Sequence, residues 1–443
     1  MNNQSLPLEG SLNGALHERP AKVRRLIGHV VAKVQKRRAA VVAVAAMGGQ
    51  RSGPQGPKVD LDAPPFDWPA HVRKLKPRGF RRRYRMDEPS FNELVTLCGP
   101  HLPDLNLVQA LRSRRGAGAV SHAVTMAITL SYLAGSRMDD LWLVYSPISR
   151  SRLYPALWHG VYAINNALPI DYPYDDVEKM RDLEMDFRAH TRQQEVVGLV
   201  GCTDGAIIAT RNPGRSVDNP EAHHCSRKNT YAILLMATCD YFRKFTAWSI
   251  NAVGKMHDSP TFKASRLGTA VYSDNIPHPF VLFGDSAFAN NNTMITPCGR
   301  QRDTDFDFFQ SSYRMPIECA FGILCRRWAV LARPLEVSHV RRTPLIAACL
   351  ALHNFCIDKS QAKPEDFLDR HHDKVQVQPG EWLEISAREK VAYTREGAAV
   401  LRLGADGHEH APVLLPGGST KSRRDQLRQQ IRERGMKRPH ADL

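Results

Sequence analysis

From residue 196 the chain alternates short apolar runs with polar breaks. VVGLVGCTD (196–204), YAILLMATCD (231–240), FTAWSINAV (245–253) and HPFVLFGDSAF (278–288) each have the length and apolar density of a buried strand. The second and third are separated by a few polar residues around YFRK and read as a hairpin. HDSPTFKASRL (257–267) reads as a helix entered from Asp258 or Ser259. Two longer apolar-periodic segments, RMPIECAFGILCRRWAVL (314–331) and TPLIAACLALHNFCI (343–357), read as helices. The order is three strands, a helix, a fourth strand and then helices. In an RNase H-like sheet that order sets the fourth strand beside the first.

Upstream the period is helical. SFNELVTLCGPHL (90–102) reads as an amphipathic helix begun near Asp87 or Ser90 and closed by Gly99-Pro100. SHAVTMAITLSYLA (121–134) is apolar enough for a buried helix. The stretch 136–168 gives a helix, a turn around Ser146-Pro147 and a second helix from about Ser149. That spacing suits a helix-turn-helix, with Arg150 and Arg152 early on the second helix, and suits a plain helical pair equally well. The expected fold is therefore α/β: an RNase H-like mixed-sheet core behind a helical, helix-turn-helix-like domain. The expected divisions are a basic tail (1–71), a helical DNA-binding-like domain (72–170), the sheet domain (196–358) and a variable basic tail (359–443).

Charge adds a partner to this picture. The chain has 61 Lys and Arg against 45 Asp and Glu, a net +16, which points to a polyanion such as nucleic acid. VRKLKPRGFRRRYR (72–85) carries eight basic residues and no acid, with Phe80 and Tyr84 between them; Arg81, Arg82 and Arg83 are candidate phosphate contacts. The segment 421–439 reads as a basic helix, suited to DNA contact, nuclear import or plain solvation. Nine cysteines without a CxxC pair argue against a zinc ribbon and fit a reducing compartment, cytosol or nucleus. The apolar run at 39–47 is too short to span a bilayer, so no membrane is expected as a partner.

Three acids stand where a soluble core seldom puts one. Asp204 and Asp285 are expected at the ends of the first and fourth strands, and Glu318 on a helix between Ile317 and Ala320-Phe321. Converging carboxylates are the ligands that Mg²⁺ or Mn²⁺ prefers, and a pair of such ions serves phosphodiester cleavage. Asp258 is a fourth acid near that sheet edge, with helix capping as its simpler reading. His223-His224-Cys225 lacks a second ligand pair and reads as loop; His353 reads as a core histidine.

With these residues in view, the chain resembles Harbinger-type transposases and the transposase-derived nucleases of the DDE endonuclease superfamily. The resemblance covers roughly 80–358 and rests on GCTDG (201–205), SRKNTYAILLMATCD (226–240), MHDSPTF (256–262), LFGDSAF (282–288) and IECAFGILCRRWAVLARPLEV (317–337). It places the family's metal-binding triad on Asp204, Asp285 and Glu318, and it implies Mg²⁺ or Mn²⁺, DNA strand cleavage, a nuclear location, and a Myb-like partner for DNA binding. Arg227 and Lys228, inside the second motif, join the candidate DNA contacts, and a homo-oligomer is compatible with the reading. The chain has Ala206-Ile207 where the family usually has Thr-His, and Cys319 where it often has Arg; Arg314 keeps a basic group near Glu318. Two rivals stay open: a domesticated, non-catalytic DNA-binding protein on the same fold, and a metal-dependent RNase.

Overall fold

The computed structural model describes residues 66–103, 120–146, 148–190, 197–226, 228–298, 304–359 and 422–433. The chain divides into units 1–60 and 61–443, and every described residue lies in the second. Of the two expected tails, residues 1–65, 360–421 and 434–443 fall outside the described residues.

The basic stretch that opens the described chain is a helix, α1 (Trp68–Tyr84), started by Asp67, whose side chain accepts from the Ala70 amide. It kinks at Lys76 (φ 55°) because the residue before Pro77 is excluded from helical geometry. Phe80 and Tyr84 are buried, and their rings pack with those of Trp68 and Phe91. α2 (Glu88–Cys98) is capped by Asp87 and α3 (His122–Leu133) by Ser121. The Tyr145 hydroxyl bonds to Tyr84 and Ser131, at 3.1 and 2.9 Å, and so ties the turn after α4 (Met138–Val144) to α1 and α3.

α5 (Arg150–Ala167) runs against α3 at very short range. A Cβ placed on Gly160 would stand 2.0 Å from Thr129 Oγ1 and 2.9 Å from Thr129 Cβ. Gly160→Ala must push the helices apart, and we expect a loss of about 1–3 kcal/mol in urea unfolding. Thr129→Ala in the same background should restore part of it, since it removes Oγ1 and leaves only the Cβ contact at 2.9 Å.

After α6 (Val177–His190) comes a mixed sheet built from β1 (Leu199–Ala209), β2 (His224–Cys225), β3 (Thr230–Cys239), β4 (Phe245–Val253), β5 (Val281–Phe283) and β6 (Met294–Ile295). β1 pairs antiparallel with β3, and β3 with β4 through the tight turn at 240–244. β5 lies parallel to β1 on its other side, with β6 parallel to β5. The fourth long apolar run thus does lie beside the first. β1 is longer than its apolar run, however, because GAIIA after Asp204 continues to pair with β3 as far as Ala209↔Ala232. Asp204 is therefore mid-strand rather than at a strand end.

Side chains alternate across the sheet as the pleat requires. Ile233, Leu235, Ala237 and Cys239 enter the larger core, together with residues of α9 (Thr304–Arg327), α10 (His339–Asp358) and the upstream helices. Leu234 and Met236 enter a smaller core with Phe262, Leu267 and Val271 from α7 (Asp258–Lys263) and α8 (Arg266–Tyr272). The sheet therefore has helices on both faces. The basic segment near the end forms α11 (Arg423–Glu433), which buries Leu427 and Ile431 in the larger core. His353 is fully buried beside Phe245, its ring bonded to the Arg243 carbonyl at 2.8 Å.

Candidate metal centre

β1 and β5 pair as Cys202↔Phe283, so Asp204 and Asp285 each follow that pair by two residues. β5 stops at Phe283, which leaves Asp204 just past the end of the parallel ladder, although it is still paired with Ala237 on β3. Asp285 opens a turn in which its Oδ1 accepts from the Ala287 amide at 2.9 Å. It is partly exposed, whereas Asp204 is 8% exposed.

The third acid comes from α9. Cys202 Sγ reaches the Tyr313 carbonyl at 3.0 Å, which sets this helix on the β1 face that also carries Asp204. Arg314 and Glu318 are one helical turn apart on α9. A single nitrogen, Arg314 Nη2, donates to Asp204 Oδ2 at 3.2 Å and to Glu318 Oε1 at 3.1 Å. Both carboxylates thus close on one cation. Burial pushes the Asp204 carboxyl up to about 6, and the Asp285 charge pushes the same way, against Arg314 and the Gly205 amide.

Gln310 was not among the candidates from sequence and belongs with them as a positioning residue. Its buried amide donates to the carbonyls of Gly284 (2.7 Å) and Ile295 (3.2 Å), so it pins α9 to the backbone directly before Asp285. The available signal was a lone amide eight residues before Glu318, on a helix whose other buried side chains, Arg314 and Arg327 apart, are apolar.

Asp258 is placed elsewhere. His257, not Asp258, is the helix cap, and the Asp258 carboxyl packs against Gly205. A Cβ on Gly205 would lie 2.9 Å from Asp258 Oδ1, and Gly205 follows Asp204 in the strand, so it faces the opposite side of the sheet. The structure does not bring Asp258 onto the face that holds Asp204 and Arg314.

Of the candidate DNA contacts, Arg81 and Arg82 are exposed on the last turn of α1, with Arg83 half-buried beside them. Arg150 is exposed, pairs with Asp139 at 3.1 Å and stacks over Trp142 at 4.6 Å; Arg152 is half-buried. Lys228 is exposed, and Arg227 lies outside the described residues. Among the described residues no three His, Cys, Asp or Glu side chains already stand as a ready metal cluster, and no helix is long and apolar enough to cross a membrane.

Residues 203–354 match the family model described as DDE superfamily endonuclease. The matched stretch contains Asp204, Asp285 and Glu318 as well as Arg314 and Gln310. No curated protein and no solved structure matches the chain. The region from β1 to α10 therefore carries an endonuclease signature, laid over a mixed α/β fold.

Proposed function

We propose that this chain is a metal-dependent DNA endonuclease of the transposase type, of the Harbinger kind, with an RNase H-like catalytic sheet. The observation that carries the reading is the meeting of Asp204 and Glu318 on one cation, with Asp285 two residues past the end of the adjoining parallel strand. The donor set fits a hard divalent cation: all its atoms are carboxylate oxygens from three separate elements. Asp204, Asp285 and Glu318 would hold Mg²⁺ or Mn²⁺, and a pair of such ions supplies an activated water and charge neutralisation on the phosphodiester. The chain's own part is positional. β1 and β5 fix the two aspartates, and Gln310 fixes α9 against the end of β5.

The excess of basic residues supports DNA as the substrate, with Arg81, Arg82 and Arg83 as phosphate contacts. The family resemblance adds action in the nucleus, a Myb-like partner for site recognition, and room for a homo-oligomer. The test is nicking of supercoiled plasmid by the full chain in Mg²⁺ or Mn²⁺ against EDTA. Cutting that requires the metal supports the endonuclease. Salt-dependent DNA binding without any cutting, with the Myb-like partner supplied, transfers the reading to a non-catalytic DNA-binding protein.

A separate measurement addresses the contacts. Changing Arg81, Arg82 and Arg83 together to Glu should weaken duplex binding about tenfold or more near 0.1 M salt and flatten log K against log salt by up to roughly three. An unchanged slope removes this turn of α1 from the interface.

A further inference from the structure

We propose that Arg314 is a resident cation of the acidic site, occupying it in the metal-free protein and leaving it when a divalent ion enters. This rests on the metal reading of Asp204, Asp285 and Glu318. Three features separate Arg314 from an ordinary structural ion pair. An arginine held for stability frequently engages one carboxylate through its two-nitrogen fork. Arg314 instead places one nitrogen between two carboxylates, as a metal ion would stand. Its Nε is buried without a hydrogen-bond partner, so the guanidinium is only partly satisfied where it lies. The pair is also unequally enclosed: the Arg314 and Asp204 side chains are 10% and 11% exposed, and that of Glu318 is 41% exposed. The opening is on the Glu318 side.

The exchange needs no movement of the backbone. Arg314 and Glu318 share α9, so rotation about the arginine side chain frees both carboxylates while the helix stays pinned through Gln310. Without a cation, Asp204 and Glu318 would face each other with Asp285 nearby, three like charges just past the end of the parallel β1–β5 ladder. A tethered guanidinium solves that problem for the metal-free protein, and the cost is a weaker hold on the metal. Arg314 is on this account a competitor for the metal, and its loss should strengthen metal binding where loss of a supporting residue would weaken it.

Free Mn²⁺ measured by electron paramagnetic resonance gives the readout, independent of DNA cutting. We expect Arg314→Ala to bind Mn²⁺ at least tenfold more tightly than the wild type. Methylguanidinium at tens of millimolar should raise the Kd of Arg314→Ala several-fold, where sodium at equal ionic strength does not, and should leave the wild type almost unchanged. Arg314→Lys, with a cation on a shorter stem, should fall between the two, and it carries the test if the alanine variant does not fold. Mn²⁺ bound by the wild type but no more tightly by either variant overturns the proposal and leaves the metal reading standing. Absence of Mn²⁺ binding in the wild type and in both variants ends the metal reading and this proposal with it.

Discussion

Asp204→Asn should abolish metal-dependent nicking while making the metal-free protein more stable. The first effect follows from the place of the residue. Asp204 is the most enclosed of the three acids and meets Glu318 through Arg314. Removing its charge takes away a proposed ligand for which Asp258 cannot substitute, since Asp258 lies on the other face of β1. Loss of at least about a thousandfold in nicking rate is expected, in keeping with the several kcal/mol a bound metal contributes to charge stabilisation.

The second effect has the opposite sign. Burial holds the Asp204 carboxyl near 6 against an ordinary 3.8, so the folded protein prefers the neutral form. Above pH 6 the charged form therefore carries a penalty of up to about 3 kcal/mol relative to the unfolded chain. Between about 6 and 4 the folded state takes up the proton first, so this penalty falls as pH falls. Asn has no such charge. In EDTA at pH 7.5, Asp204→Asn should gain on the order of 1–3 kcal/mol in urea unfolding, and the gain should vanish near pH 4. Saturating Mg²⁺ should stabilise the wild type alone. A variant less stable than the wild type at pH 7.5 would mean that the pairing of Asp204 with Arg314 outweighs the cost of burying the charge.

The contrast between Asp204 and Asp258 shows how far a sequence reaches into such a site. Both acids follow or flank apolar runs, and both lie in the stretch that matches the endonuclease family model. The element order was legible because four apolar runs of strand length alternate with turn residues. The order also placed Asp204 beside Asp285, since it set β5 next to β1. The face on which Asp258 lies was not legible. It depends on Gly205, which leaves room for a carboxylate from α7 on the far side of the pleat, and that juxtaposition is set by packing 53 residues apart in sequence. The length of β1 was misjudged for a related reason. Whether GAIIA ends a strand or continues it is decided by its partner β3, not by its own composition. Gln310 escaped notice because one buried amide leaves almost no trace in a periodicity.

The basic segment near residue 423 is the clearest case of charge hiding packing, and it carries the second large effect. Read by composition it is a solvated or DNA-binding helix, because SRRDQLRQQIRER offers few apolar residues. Leu427 and Ile431 are nevertheless four apart and fall on one face of α11, where both are buried. They pack with Phe283, Phe306 and Tyr313. Arg423 is itself buried and donates to the Val197 carbonyl at 3.0 Å, while Arg424 reaches the Pro297 carbonyl at 3.4 Å. Phe283 is two residues before Asp285, and Tyr313 immediately precedes Arg314. The helix therefore braces two of the three elements that carry the acids.

Leu427→Ala with Ile431→Ala should cost about 4 kcal/mol or more in urea unfolding, since each buried aliphatic cut back to alanine costs about 2–5 kcal/mol. Ending the chain after residue 421 should cost at least as much, because it also bares Phe283 and Phe306 to water. Arg428→Gln with Arg432→Gln removes two charges from the same helix, together with the partly exposed Arg428–Asp425 pair, and should cost no more than about 1 kcal/mol. If α11 served only as a basic arm, the two double variants would behave the other way round: the glutamines would weaken DNA binding and the alanines would leave stability alone. With α11 as a brace, the alanine pair should lose nicking faster than it loses DNA affinity, because the proposed binding surface on α1 is untouched while Asp285 and α9 lose a common support.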